Sequence, residues 1–113
     1  MEAGTMTRTL EESRAFFADD RFAMEACGIT IDEGTEDGAR CSMPLTPMHL
    51  NAGGVAQGGA VYTLCDTTFA VAANAGGILT VSQCADMHYL RPGAGERLYA
   101  EASCAPPAST ASM

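Results

Sequence analysis

Residues 58–74, GGAVYTLCDTTFAVAAN, form a largely apolar run that carries one carboxylate, Asp66. The pattern predicts a helix, roughly residues 59–74, buried inside a soluble fold. An isolated ionised carboxylate in a low-dielectric interior costs several kcal/mol unless it is paired or hydrogen-bonded. Asp66 is therefore either a structural hydrogen-bond hub or a working group in a cleft. A helix that is apolar nearly all round also needs cover on most sides. A curved antiparallel sheet wrapped around it supplies that cover.

Extended to Val81, the same run is long enough to resemble a membrane span. It also holds Asn74, four threonines and two glycine pairs, and no basic residue flanks it. Those features argue against a membrane role. With 113 residues the chain is expected to form one domain. The chain has six arginines, no lysine and 14 acidic residues, for a formal charge of −8. Ten of the acids precede residue 38, so the N-terminal third is an acidic, solvated face. Nucleic acid and anionic membrane surfaces both need clustered basic groups, and neither is an expected partner.

Cysteines 27, 41, 65, 84 and 104 are odd in number and widely spaced, with no C-x-x-C pair. That pattern is neither a disulfide framework nor a zinc site, and reduced thiols in a cytoplasmic protein are expected. The N-terminus lacks the basic patch and apolar core of a signal peptide.

Along the chain, residues 1–8 read as a frayed leader. TLEE (Thr9–Glu12) is a capping box that starts a helix ending near Asp19. A short second helix follows, with Asp20 as cap and Gly28 as stop. Ile29 and Ile31, then Cys41 and Met43, alternate with polar residues on either side of a turn, which predicts a β-hairpin. Residues 46–59 are irregular and glycine-rich. After the long helix, closed by Gly76-Gly77, residues 78–90 are expected to form a strand and RLYAEASC (97–104) one more. The tail 104–113 is a Pro/Ala/Ser/Thr segment expected to be disordered.

Chemistry is concentrated where the glycine-rich loop meets the long helix. Gly53, Gly54, Gly58 and Gly59 allow close backbone approach to a ligand. The first N–H groups of the helix are unsatisfied and carry the positive end of its dipole. They suit a polarised carbonyl or the oxyanion of an acyl-transfer transition state.

The stretch HLNAGGVAQGGAVYTLCDTTFAVAAN (49–74) resembles the signature of hotdog-fold acyl-CoA thioesterases of the phenylacetate-degradation type. That signature reads H-x-N-x-x-G-x-x-H-G-G, followed by a helix with an aspartate in its second turn. YLRPG (89–93) resembles the family's turn after its third strand, and the resemblance covers about residues 15–103. It implies an α+β hotdog fold, an antiparallel sheet of order 1-2-4-5-6-3 wrapped around the central helix. It also implies a homodimer or homotetramer, in which two subunits build two active sites. The implied substrate is a short-chain or aromatic acyl-CoA, hydrolysed to free acid and coenzyme A with no cofactor or metal.

By position, Asp66 corresponds to the catalytic carboxylate, acting as nucleophile or as general base for water. Gly58 corresponds to the residue whose N–H polarises the thioester carbonyl, with Gly59 and residue 57 beside it toward substrate. Asn51 corresponds to the group that orients water or thioester, and Ser82 to an assisting hydroxyl. Arg91 is placed to meet the phosphates of coenzyme A. Each also has a plainer reading: Asn51 as a turn residue, Ser82 as a strand serine, Arg91 as a solvated charge. Cys65, beside Asp66, has no histidine to activate it and reads as a packing residue.

The sequence departs from the pattern twice. Gln57 replaces the histidine before G-G, which keeps a hydrogen-bond donor but removes a titrating group. After RLYAEAS the family continues through two more strands, and these last two strands are expected to be missing here. In the implied order they fall mid-sheet, so residues 78–90 lack a neighbour within the subunit and leave edges prone to association. A shortened, inactive relative that only binds acyl-CoA or a family partner is the alternative function. Dehydration of a hydroxyacyl thioester ranks lower, because that chemistry pairs a histidine with the acid.

Overall fold

Thr9 and Glu12 start the first helix. A computed structural model, describing residues 7–35 and 37–103, places α1 at Leu10–Phe17. The Glu12 N–H donates to Thr9 Oγ1 at 3.1 Å, and the Thr9 N–H donates to Glu12 Oε1 at 2.9 Å. Reciprocal capping satisfies two groups that a bare helix end leaves open. Ser13 and Phe17, one turn apart, form the buried face of α1. The Arg14 guanidinium donates twice to the Ile31 carbonyl, at 3.0 and 2.8 Å, which fixes α1 to the strand below it. The expected second helix is a single π-helical turn, Phe22–Ala26, whose entry is held by Asp20 Oδ1 accepting from the Ala23 N–H at 3.1 Å.

The hairpin forms as expected. β1 (Thr30–Thr35) pairs antiparallel with β2 (Gly38–Pro44), with Ile31 opposite Cys41 and a bulge between Ile31 and Glu33. β3 (Arg97–Ser103) pairs with the other edge of β2, Cys41 opposite Ala100, giving the order β1-β2-β3. Because β3 is the strand after residues 78–90, this is the 1-2-4 portion of the implied hotdog order.

Helix α2 (Gly58–Ala73) lies across this sheet. Leu64, Thr68 and Val71, at helical spacing, are almost fully buried and meet a floor that includes Ile31, Cys41, Met43 and Ala100. Fully burying a Val, Leu or Met side chain stabilises by about 1.5–3 kcal/mol, so this stripe is the main anchor of α2. Packing is tight where β1 passes under α2: a Cβ at Gly34 would sit 2.8 Å from Val71 Cγ1.

Among the described residues, three strands cover one side of α2 only. The opposite face, with Tyr62, Cys65, Asp66 and Phe69, is exposed, so the helix is not buried all round. Residues 78–90 form no strand, contrary to expectation. Ile78, Val81 and Leu90 are 75%, 79% and 86% exposed. A strand needs a ladder partner for its N–H and C=O groups, and among the described residues none stands beside this segment. It is held instead at its ends. Thr80 exchanges hydrogen bonds with the Asn74 side chain at 2.7 and 3.0 Å, and the Tyr89 hydroxyl donates to the Gly58 carbonyl at 3.0 Å.

The leader also differs from expectation where it is described. The Arg8 N–H donates to the Ala75 carbonyl at 2.6 Å, and its guanidinium donates to the Asn74 carbonyl and lies 4.1 Å over the Phe16 ring. A cation at the C-terminal end of α2 meets orphan carbonyls and the negative end of the dipole, which explains the docking. Residues 1–6 and the tail 104–113 lie outside the described residues. Among the described residues no helix is long and apolar enough to cross a membrane.

Candidate active site

The loop before α2 is built by Asn51. Its Oδ1 accepts the N–H groups of Gly53 and Val55 at 2.8 and 3.2 Å, and its own N–H donates to the Val55 carbonyl at 2.7 Å. The plainer reading of Asn51 as a turn residue therefore holds for its side-chain oxygen. Its side-chain NH2 makes no hydrogen bond among the described residues and remains a donor for a ligand.

Gln57 caps α2. Its side-chain oxygen accepts the Ala60 N–H at 2.9 Å, and its backbone carbonyl accepts Ala60 and Val61 at 2.9 and 3.1 Å. The cap leaves Gly58 and Gly59, the first two helical residues, with N–H groups that find no acceptor among the described residues. Gly59 also makes room for the cap, since a Cβ there would lie 2.8 Å from Gln57 Oε1.

His49 was not singled out by sequence reasoning beyond its place in the motif. It is buried, with the Thr46 N–H donating to Nδ1 at 3.1 Å and Nε2 at 2.7 Å from the Cys27 carbonyl. An accepting Nδ1 requires the proton on Nε2, which then donates to Cys27. The ring therefore pins the loop to the end of the π-helical turn. Gln57 N–H donating to the His49 carbonyl at 2.8 Å carries that anchor to the helix start.

Asp66 is exposed and makes no hydrogen bond or ion pair among the described residues. It is not a structural hub. Its carboxylate lines a cavity of about 260 Å³ with Tyr62, Phe69, Ser82 and Met87. Tyr62, Asp66 and Phe69 share one face of α2 at four- and three-residue spacing, a signal the sequence carried and that went unread. Ser82 enters the same cavity from the 78–90 segment. Burial pushes the Cys65 thiol above its ordinary value, which keeps most of it protonated at neutral pH and argues against a catalytic nucleophile in ester hydrolysis.

The remaining candidates open elsewhere. Asn51, Gly58 and Arg91 line a second cavity of about 500 Å³, walled by Tyr89 and Tyr99, and Cys65 borders both it and the first. Gln57 and Gly59 border a third depression of about 440 Å³, with Phe22, Met48 and His49. A single chain thus brings Asp66 to Ser82 and Gly58 to Asn51 and Arg91, without joining the two groups. Tyr89, whose ring would lie 3.6 Å from a Cβ at Gly58, is a further contributor that the sequence did not disclose. Among the described residues no group of three His, Cys, Asp or Glu side chains is placed to hold a metal ion.

No family model matches the chain. It is 36% identical over 93 residues to the acyl-coenzyme A thioesterase PaaI of Escherichia coli, an alignment covering 81% of this chain and 66% of that protein. A putative esterase of Archaeoglobus fulgidus is 37% identical over 79 residues, covering 69% of this chain and 51% of its own length. The chain therefore spans less than two thirds of these relatives. The solved structure of the E. coli PaaI protein superposes with a TM-score of 0.69 at 32% identity, covering 84% of this chain and 72% of that one. Mouse thioesterase superfamily member 2 gives a TM-score of 0.60 at 25% identity, covering 83% and 68%. With sequence and fold in agreement, the chain belongs to the hotdog-fold thioesterase family that includes the E. coli PaaI protein.

Proposed function

We propose that the protein is an acyl-CoA thioesterase that hydrolyses a short-chain or aromatic, phenylacetyl-type acyl-CoA to the free acid and coenzyme A. The observation that carries this reading is Asp66, a carboxylate with no protein partner in a cavity walled by Tyr62, Phe69 and Met87. That cavity suits a small or aromatic acyl group. Asp66 takes a proton from water, whose oxygen attacks the thioester carbonyl. The oxyanion forms at the free Gly58 N–H, where the helix N-terminus favours negative charge. Collapse of the adduct breaks the C–S bond, and the departing thiolate recovers the proton from Asp66. The Asn51 NH2 orients water or thioester, the Ser82 hydroxyl assists, and Gln57 and Gly59 shape the entrance. Arg91 meets the phosphates of coenzyme A.

Helix geometry decides how these groups meet. Gly58 and Asp66 are eight residues apart on α2, about 12 Å along its axis at 1.5 Å per residue. One carbonyl cannot touch both at reacting distance. The working site therefore combines Gly58, Asn51 and Arg91 of one protomer with Asp66 and Ser82 of another, in a cytoplasmic homodimer or homotetramer. The uncovered Tyr62–Phe69 face of α2 supports such pairing.

The separation of the candidate groups within one chain favours a second reading, a protein that binds acyl-CoA or a family partner without turnover. Thiol release from phenylacetyl-CoA and short acyl-CoA esters, with sedimentation at low micromolar concentration, separates the two. Turnover by an oligomer supports hydrolysis. Binding without thiol release supports the second reading.

A further inference from the structure

Two cysteines border the cavity of Asp66. Cys65 precedes Asp66 on α2, and Cys84 lies on the 78–90 segment between Ser82 and Asp86. Both are exposed and unbonded, whereas Cys27 and Cys41 are buried. The cavity they share measures about 260 Å³. One wall is a packed helix. The other has no ladder among the described residues and is held near its ends by Asn74 and by the Tyr89–Gly58 contact. Few packed contacts and exposed backbone let such a segment move at small cost. A disulfide requires Cα atoms about 4.4–6.8 Å apart, so its formation calls for the segment to close onto α2.

We propose that Cys65 and Cys84 form a reversible disulfide that ties residues 78–90 to α2 and closes the cavity over Asp66. The oxidant is a low-molecular-weight disulfide such as oxidised glutathione. The Cys84 thiolate, on the mobile wall, attacks one sulfur of the oxidant. This forms a mixed disulfide and releases one glutathione thiolate. The Cys65 thiolate then attacks the Cys84 sulfur, expelling the second glutathione. Two protein thiols are oxidised, one glutathione disulfide is reduced to two thiols, and the two protons pass to the leaving thiolates. Burial holds the Cys65 thiol above its ordinary value, so the second step quickens as pH rises. Closure excludes substrate from Asp66, a consequence that rests on the thioesterase reading, whereas the bond itself does not.

Non-reducing peptide mapping after treatment with oxidised glutathione reads the bond directly. A 65–84 cross-link within one chain, reversed by dithiothreitol, is expected from the wild type and absent from Cys65→Ser and Cys84→Ser. If Cys84 carries only glutathione, or joins a second copy or another cysteine, the proposal is wrong. The ratio of oxidised to reduced hydrolysis is the separate functional reading. It should fall at least ten-fold in the wild type and stay near one in both serine variants. A cross-link with no fall in that ratio overturns the closure. A cross-link in a protein with no hydrolysis at all leaves the bond established and removes the thioesterase reading alone.

Discussion

Gly58 and Asp66 stand on one helix yet open into different cavities, Gly58 beside Asn51 and Arg91, Asp66 beside Ser82. Under the proposed mechanism, their joint action on one substrate calls for two protomers, and complementation tests this. Gly58→Pro removes the N–H while suiting the first helical position. Gln57 before it already has the extended ψ of 133° that proline demands of its predecessor. Gly58→Pro and Asp66→Asn should each be nearly inactive alone. Co-refolded, they should regain activity through hybrid dimers carrying one intact site. No recovery in verified hybrids rules out a shared site.

Asp66→Asn should cost at least about 100-fold in the chemical step, as expected for loss of a general base. The side chain is exposed and makes no hydrogen bond among the described residues, so the melting temperature should not move. Activity within a few-fold of wild type would remove Asp66 from the chemistry.

Gln57 caps α2 through its side-chain oxygen. Gln57→Ala should therefore destabilise the protein by about 1 kcal/mol, the usual worth of such a cap. If the position chiefly orders the loop, Gln57→His should change the rate by less than about 1.4 kcal/mol, one decade. A gain of several decades would mean that a titrating group is needed there. Denaturation midpoints and steady-state rates of the two variants read both effects.

Gly34 leaves room for Val71, with a would-be Cβ only 2.8 Å from Val71 Cγ1. Gly34→Ala should destabilise by about 1–3 kcal/mol through overpacking. Combined with Val71→Ala, the loss should be smaller than the sum of the single losses, because the double variant removes the clash. Strict additivity in denaturant unfolding would place the strain elsewhere.

Burial pushes the Cys41 thiol above its ordinary value of 9.0, opposed by a hydrogen bond with Thr68 and aided by the charge of Asp32. Above that value an unfolded chain releases the proton while the folded protein retains it. The folded state then binds more protons, and stability falls as pH rises. Below it the contribution is fully present. Cys41→Ala should flatten the alkaline fall in the denaturation midpoint, and an unchanged slope would assign it to other groups.

Local chemistry was legible in the sequence because it is set by near neighbours. Thr9 and Glu12 cap α1, Ile31 and Cys41 face each other across the hairpin, and Gly77 lies at φ +87° just beyond the end of α2. Each follows from capping, alternation or turn preference within a few residues. The motif from His49 to Asp66 likewise marked the candidate site. What a helix or strand faces is not local. The same apolar pattern that predicted an enclosed α2 leaves Tyr62 and Phe69 exposed, because among the described residues a sheet of three strands reaches one side of the helix. Residues 78–90 alternate as a strand would, yet they form none, because backbone pairing depends on a neighbour that periodicity cannot supply. His49 and Tyr89 gained their partners at Cys27 and Gly58 only through the folded chain. Sequence alone thus determined the candidate residues for chemistry and the local shapes they prefer. Tertiary structure decided which of them meet, because the separation of Gly58 from Asp66 is fixed by the rise of a rigid helix.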